Sequence, residues 1–119
     1  MQVSRFAVIV IATLGIASAG LVHAQDKAKE RAPVVKVLLE NDKVRVTEST
    51  SKPGDVSRSK RSARVNYYIT GGTFERTTPD GKKTRVERKA GTALWLEPDS
   101  DVVKNVGKTT IKLISVVRK

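Results

Sequence analysis

Between Pro53 and Gly72 the chain reads PGDVSRSKRSARVNYYITGG, and within it Arg58, Lys60, Arg61 and Arg64 crowd four cations into seven positions. Groups at that density can hold a carboxylate, sulfate or phosphate, with arginine supplying two-pronged hydrogen bonds. On the strand that follows, Arg64, Asn66 and Tyr68 share one face and form the specific part of such an anion site. Farther along, Asp99 and Asp101 are two carboxylates in one loop, the residue type used for acid–base work, but the loop does not set their separation. A second cationic run, Lys82, Lys83, Arg85, Arg88 and Lys89, alternates as a hairpin strand should and reads as a solvated, aggregation-guarding edge.

The first 24 residues have the form of an export signal. Arg5 gives a positive start, Phe6 to Val22 are almost entirely apolar or small, and Val22-His23-Ala24 is a small-x-small cleavage site. Cleavage after Ala24 predicts a periplasmic or secreted protein with no stable membrane span. The mature chain then carries 22 Lys plus Arg against 12 Asp plus Glu, a formal charge of +10 on 95 residues, and has no His, Cys or Met. Imidazole and thiolate metal sites are thereby excluded, leaving oxygen ligands of the kind suited to magnesium or calcium. Ser-His and Cys-His catalysis is excluded as well. The charge favours anionic polymers or surfaces as partners. With five aromatic residues in the whole chain, no stacking motif and an export signal, nucleic acid is not the expected partner.

Gln25 to Pro33 are charged and aperiodic, and read as a flexible leader. From Val34 to Lys119 the punctuation is that of eight or nine short strands in one domain. Val34 to Leu39 is β-branched and apolar, Glu40-Asn41-Asp42 turns, and Val44 to Thr47 alternates. Arg64 to Thr70 alternates strictly, with Val65, Tyr67 and Ile69 opposite Arg64, Asn66, Tyr68 and Thr70. Thr78-Pro79-Asp80-Gly81 should join Thr73–Thr78 to Lys83–Lys89 as a hairpin. Thr92 to Leu96, Val102 to Val106 and Thr109 to Val117 complete an all-β sandwich or barrel. Phe74 is expected in the core, and Trp95 in the core or on a dimer surface.

The order ENDKVRVTE, PGD, ITGGTFE, TPDGKKTRVE, KAGTALWLEPDSDVVKNVG and a final apolar strand resembles the small single-domain cupins, which are double-stranded β-helix jelly rolls. The most specific stretch is Gly91 to Gly107. The family's second motif has a Gly, ten positions later a metal-binding His and four positions after that an Asn; here those steps land on Gly91, Asp101 and Asn105. In the first motif the histidine positions fall on Lys60 and Ser62 counted from Gly54, or on Arg58 and Lys60 counted from Gly71, and the acidic ligand falls near Arg64 or Asn66. The resemblance therefore implies the fold and argues against the usual metal.

Three roles stay open for the cations. A lysine or arginine head can replace the metal and pair with Asp101; Arg58, Lys60, Arg64, Asn66, Tyr68 and Asp101 can hold a small anion; or the run can simply face water. The expectation is an exported, metal-free, non-catalytic binding or structural module that needs no cofactor. The alternative is a cupin enzyme with a carboxylate metal site at Asp101, with Glu97 or Asp99. The resemblance and the apolar last strand also imply a homodimer.

Overall fold

The computed structural model describes residues 30–119. The export signal, its cleavage site and most of the charged leader lie outside the described residues. The leader's end is fastened: Val56 N donates to Arg31 O at 2.8 Å, and the Arg31 guanidinium lies 3.3 Å from Asp55 Oδ1. Arg31, inside the leader read from the sequence, is thus held against the domain.

Nine strands follow: β1 (Val34–Glu40), β2 (Val44–Ser51), β3 (Val56–Ser57), β4 (Arg64–Tyr68), β5 (Gly72–Thr77), β6 (Lys83–Arg88), β7 (Ala93–Leu96), β8 (Val102–Asn105) and β9 (Ile111–Arg118). All pairings are antiparallel, in a five-stranded sheet of order β1-β2-β9-β4-β7 and a four-stranded sheet of order β3-β8-β5-β6. Only the two-residue β3 has no counterpart among the strands read from the sequence, because two residues carry no alternation to detect.

The TPDG signal does what its chemistry requires. Gly81 N donates to Thr78 O at 2.8 Å, Thr78 N donates to Lys82 O at 2.9 Å, and the Thr78 hydroxyl bonds the Asp80 carboxylate. Gly81 takes φ +91°, a conformation that a Cβ would penalise. The loop sets Thr77 opposite Lys83 and Phe74 opposite Val86.

Tyr68, Phe74 and Ile111 form the core, with Val86, Leu94, Val103 and Leu113 packed against them. The guanidiniums of Arg76 and Arg88 lie 5.9 and 5.8 Å from the Phe74 ring centroid, within cation–π range. The second cationic run is therefore split: Lys82, Lys83, Arg85 and Lys89 face water as expected, while Arg88 turns in over the core.

Among the described residues one glycine marks the closest backbone approach. A Cβ on Gly71 would stand 2.4 Å from the Arg88 carbonyl oxygen, and main chain cannot rotate away. Gly71→Ala is expected to destabilise the domain by about 1–3 kcal/mol, or more if the strand shifts, as overpacked sites do. Thermal unfolding followed by circular dichroism measures it; an unchanged melting temperature would show that the β4–β5 turn has slack.

Candidate functional site

β4 brings the polar face of its alternation inward. Arg64, Asn66 and Tyr68 are 5%, 6% and 3% exposed, while Val65, Tyr67 and Ile69 point out. Along this inner face polarity falls from one end of the strand to the other: Tyr68 belongs to the core, Asn66 is intermediate in position, and Arg64 reaches the loop that carries Asp99 and Asp101.

That loop is pinned to the cationic segment by a two-bond bridge. Arg61 N donates to Asp99 O at 2.8 Å and Asp99 N donates to Arg61 O at 3.0 Å. The side chains then interlock. Arg61 Nη1 donates to Asp99 Oδ1 at 2.8 Å and to Asp101 O at 2.9 Å, and its Nη2 donates to Ser57 Oγ at 2.7 Å. Arg64 Nη2 donates to Asp99 Oδ2 at 3.1 Å and its Nη1 to Ser62 O at 3.1 Å. Arg76, arriving from the other sheet on β5, donates to Asp101 Oδ2 at 3.0 Å and lies 3.6 Å from Asp99 Oδ1. Side-chain exposures of 6–20% place all five groups in surroundings where charge interactions are poorly screened.

Burial lowers the pKa of Arg61, opposed by Asp99 and reinforced by Arg64 and Arg76. Burial raises Asp99, but the Arg64 hydrogen bond and the charges of Arg61 and Arg64 outweigh it and hold the carboxyl below its ordinary value. Three guanidiniums against two carboxylates leave the cluster one positive charge in excess.

The expected internal substitution takes a different form. Asp101 pairs with Arg76, while Lys60 is exposed. Arg76 was not among the residues singled out from the sequence, since it lies 25 positions from Asp101 inside an ordinary strand. Asp99 joins the cluster although it was not placed in the anion site, and so does Arg61, one of the four crowded cations that were. Of the other residues given to that site, Arg64 and Asp101 are in the network, Asn66 and Tyr68 lie beneath it on β4, and Arg58 and Lys60 are exposed on the segment leading to it. Asn66 Oδ1 is buried and has no hydrogen-bond partner among the described residues.

The donor set does not fit a divalent cation. Asp99 and Asp101 are occupied by arginines, Glu97 Oε1 accepts the Trp95 indole N–H at 2.9 Å, and no group of three His, Cys, Asp or Glu side chains able to hold a metal occurs among the described residues. A metal placed here would meet three guanidiniums, and even at an effective dielectric of 20 two unit charges about 4 Å apart interact by roughly 4 kcal/mol.

Asn105, the last residue of β8, closes the turn that follows it. Its Nδ2 donates to Ser51 O and Thr109 O at 3.0 and 2.9 Å, and its Oδ1 accepts from Gly107 N at 3.0 Å, at 2% exposure. The Asn of the resembling motif is thus a clasp between β2 and the turn into β9.

No protein-family model and no curated protein sequence matches this chain. Solved structures do. A cupin domain from Bordetella pertussis matches at TM-score 0.67 and 21% identity, over 76% of this chain and 97% of that one. A double-stranded β-helix protein from Klebsiella pneumoniae matches at 0.58 and 24%, over 73% and 76%. A polyketide cyclase from Streptomyces resistomycificus matches at 0.55 and 16%, over 76% and 69%. With two facing antiparallel sheets in this order and these neighbours, the chain has the fold of the cupins, a double-stranded β-helix jelly roll.

Proposed function

We propose that this protein is an exported, metal-free cupin-fold domain that serves as a non-catalytic binding or structural module, and that its basic end holds a small anionic ligand. The observation that carries the reading is the interlocked Arg61, Arg64, Arg76, Asp99 and Asp101 cluster, which occupies the motif position of a metal ligand at Asp101. Arginines held by carboxylates need no ion to neutralise them, so the end of the barrel is stable without a metal. The single positive charge in excess, with exposed Arg58 and Lys60 beside it, favours a carboxylate, sulfate or phosphate over a cation. Acid–base catalysis by Asp99 and Asp101 is disfavoured by the same contacts, because both carboxylates are committed to guanidiniums.

Two measurements test this. Elemental analysis of the purified protein is expected to find no stoichiometric divalent metal; a full equivalent of metal that disappears in Asp101→Ala would overturn the metal-free reading. Melting temperature is then followed while sulfate, phosphate and galacturonate are titrated at constant ionic strength. One anion is expected to raise it saturably, with the rise abolished in Lys60→Glu and Arg58→Glu. An equal, non-saturating rise with every anion, or one unaffected by both substitutions, would overturn the ligand reading.

A further inference from the structure

The two ends of the barrel differ in how their cations are neutralised. Because every pairing is antiparallel, the loops 41–43, 58–63, 78–82 and 97–101 gather at the end that holds the arginine–aspartate cluster. Residues 30–33, 52–55, 69–71, 89–92 and 106–110 gather at the opposite end. At the first end Arg61, Arg64, Arg76 and Lys119 are all in ion pairs. At the second, Arg31 pairs with Asp55, but Lys52, Lys89 and Lys108, on three different loops, and Lys112, the second residue of β9, form no ion pair among the described residues. The remaining carboxylates near this end are Glu30 and Glu87, two against four lysines.

The loops that carry these lysines are fixed to one another. Asn105 Nδ2 ties Ser51 O to Thr109 O, and Gly54 N donates to Asn105 O at 2.8 Å. The Thr109 hydroxyl donates to Gly71 O at 3.0 Å, and the Thr70 hydroxyl to Thr110 O at 2.8 Å. Gly91 N donates to Tyr68 O at 2.7 Å, which joins the turn holding Lys89 to the end of β4. The backbone beneath the four ammonium groups is set in advance, so no loop has to be ordered when something binds.

We propose that this end docks the protein on an acidic lipid surface, with the arginine–aspartate end facing away. The cations here are lysines, compact point charges without the fork that selects one phosphate or carboxylate, and they suit the diffuse charge of a headgroup layer. They stand on the tips of separate loops at one end of the barrel, an arrangement that meets a plane, whereas a polyanion strand is held along a groove. Apolar side chains stand beside them. Ile69 is 40% and Val34 69% exposed; Ile69 N donates to Lys112 O, and Val34 and Lys112 are both paired with Thr50. Such side chains gain from entering the boundary between headgroups and acyl chains, and gain nothing from a hydrated polyanion. None of these residues belongs to the ligand reading, and the anion titration reads the other end, so the two proposals can fail separately.

The exported chain is mixed with phosphatidylcholine vesicles containing about one third phosphatidylglycerol and, separately, with neutral phosphatidylcholine vesicles. The quantity read is the ratio of the two partition constants, in which any part of the chain that enters lipid without regard to charge cancels. A ratio well above one is expected, falling as salt rises and the screening length shortens. Lys89→Gln with Lys108→Gln should lower the ratio about 25-fold, at roughly fivefold per lysine. Lys43→Gln with Lys82→Gln removes the same charge from the opposite end and should change it by less than about twofold, since those groups lie beyond the screening length. Ile69→Ser should weaken binding to the acidic vesicles and leave binding to heparin as it was. Equal partition into both kinds of vesicle overturns the proposal. So does an equal loss in the two lysine pairs, which would make net charge alone the cause. Heparin binding lost in Lys89→Gln with Lys108→Gln, together with vesicle binding that ignores Ile69→Ser, would assign this end to an anionic polymer and also overturn it.

Discussion

Replacing Asp99 with alanine is expected to destabilise the domain by about 3–5 kcal/mol, the range seen when one member of a buried ion pair is removed. Asp99 accepts from both Arg61 and Arg64 and lies 3.6 Å from Arg76. Without it Arg64, only 5% exposed, keeps its charge in a poorly solvated place with a single remaining acceptor, Ser62 O. For a domain of this size each kcal/mol lowers the melting temperature by roughly 4–8 °C, so the loss is easily read in a thermal melt. Asp99→Asn keeps an acceptor but removes the charge, and should fall between wild type and alanine. A loss under about half a kcal/mol for Asp99→Ala would show that solvent already screens the cluster.

The same carboxyl sets an acid dependence whose sign is fixed by its lowered pKa. Between the lowered folded value and the ordinary unfolded value of about 3.9, the unfolded chain binds more protons than the folded one. The stabilisation from Asp99 is therefore fully present above about pH 4 and is lost as pH falls through the folded value. Acid unfolding of wild type should steepen in that window, and Asp99→Asn should lack this part of the slope. Parallel acid profiles for the two proteins would contradict the assignment.

The second large effect is expected at Asn105. Its amide satisfies two carbonyls, Ser51 O and Thr109 O, and one N–H, that of Gly107, at a place where water has no access. Each buried group left unpaired costs about 1–3 kcal/mol, so Asn105→Ala should cost on the order of 3 kcal/mol or more. Asn105→Asp should be no milder, since it keeps the bond to Gly107 N but removes both donors and buries a charge. Urea unfolding with an unchanged m-value measures the loss. A near-neutral Asn105→Ala would mean that Ser51 O and Thr109 O find other donors when the loop relaxes.

These two residues show how differently the parts of the site could be read. Asn105 was legible, because its partner Gly107 is two positions away and the spacing from Gly91 through Asp101 is carried by one continuous stretch of chain. The partner of Asp101 was not. Lys60 stood at the position suggested by either way of counting, but the group that reaches the carboxylate is Arg76, from the facing sheet. In FERT nothing distinguishes that arginine from any other alternating polar residue. Trp95 likewise had two readings open, core or dimer surface, and its 57% exposure removes the first.

Residue types and local spacing determined what depends on neighbours along the chain. They set the strands and the TPDG hairpin through alternation and turn dihedrals, the position of Asn105 through the turn that follows it, and the absence of imidazole and thiolate groups from residues 25–119 through composition alone. The packing of the two sheets decided the rest. Alternation in β4 defines two faces but not which one turns inward, and here the more polar face does, because Asp99 and Asp101 wait there to pair with Arg64 and its neighbours. Which arginine meets which aspartate depends on distances across the barrel, and those exist only once the sheets have closed on each other.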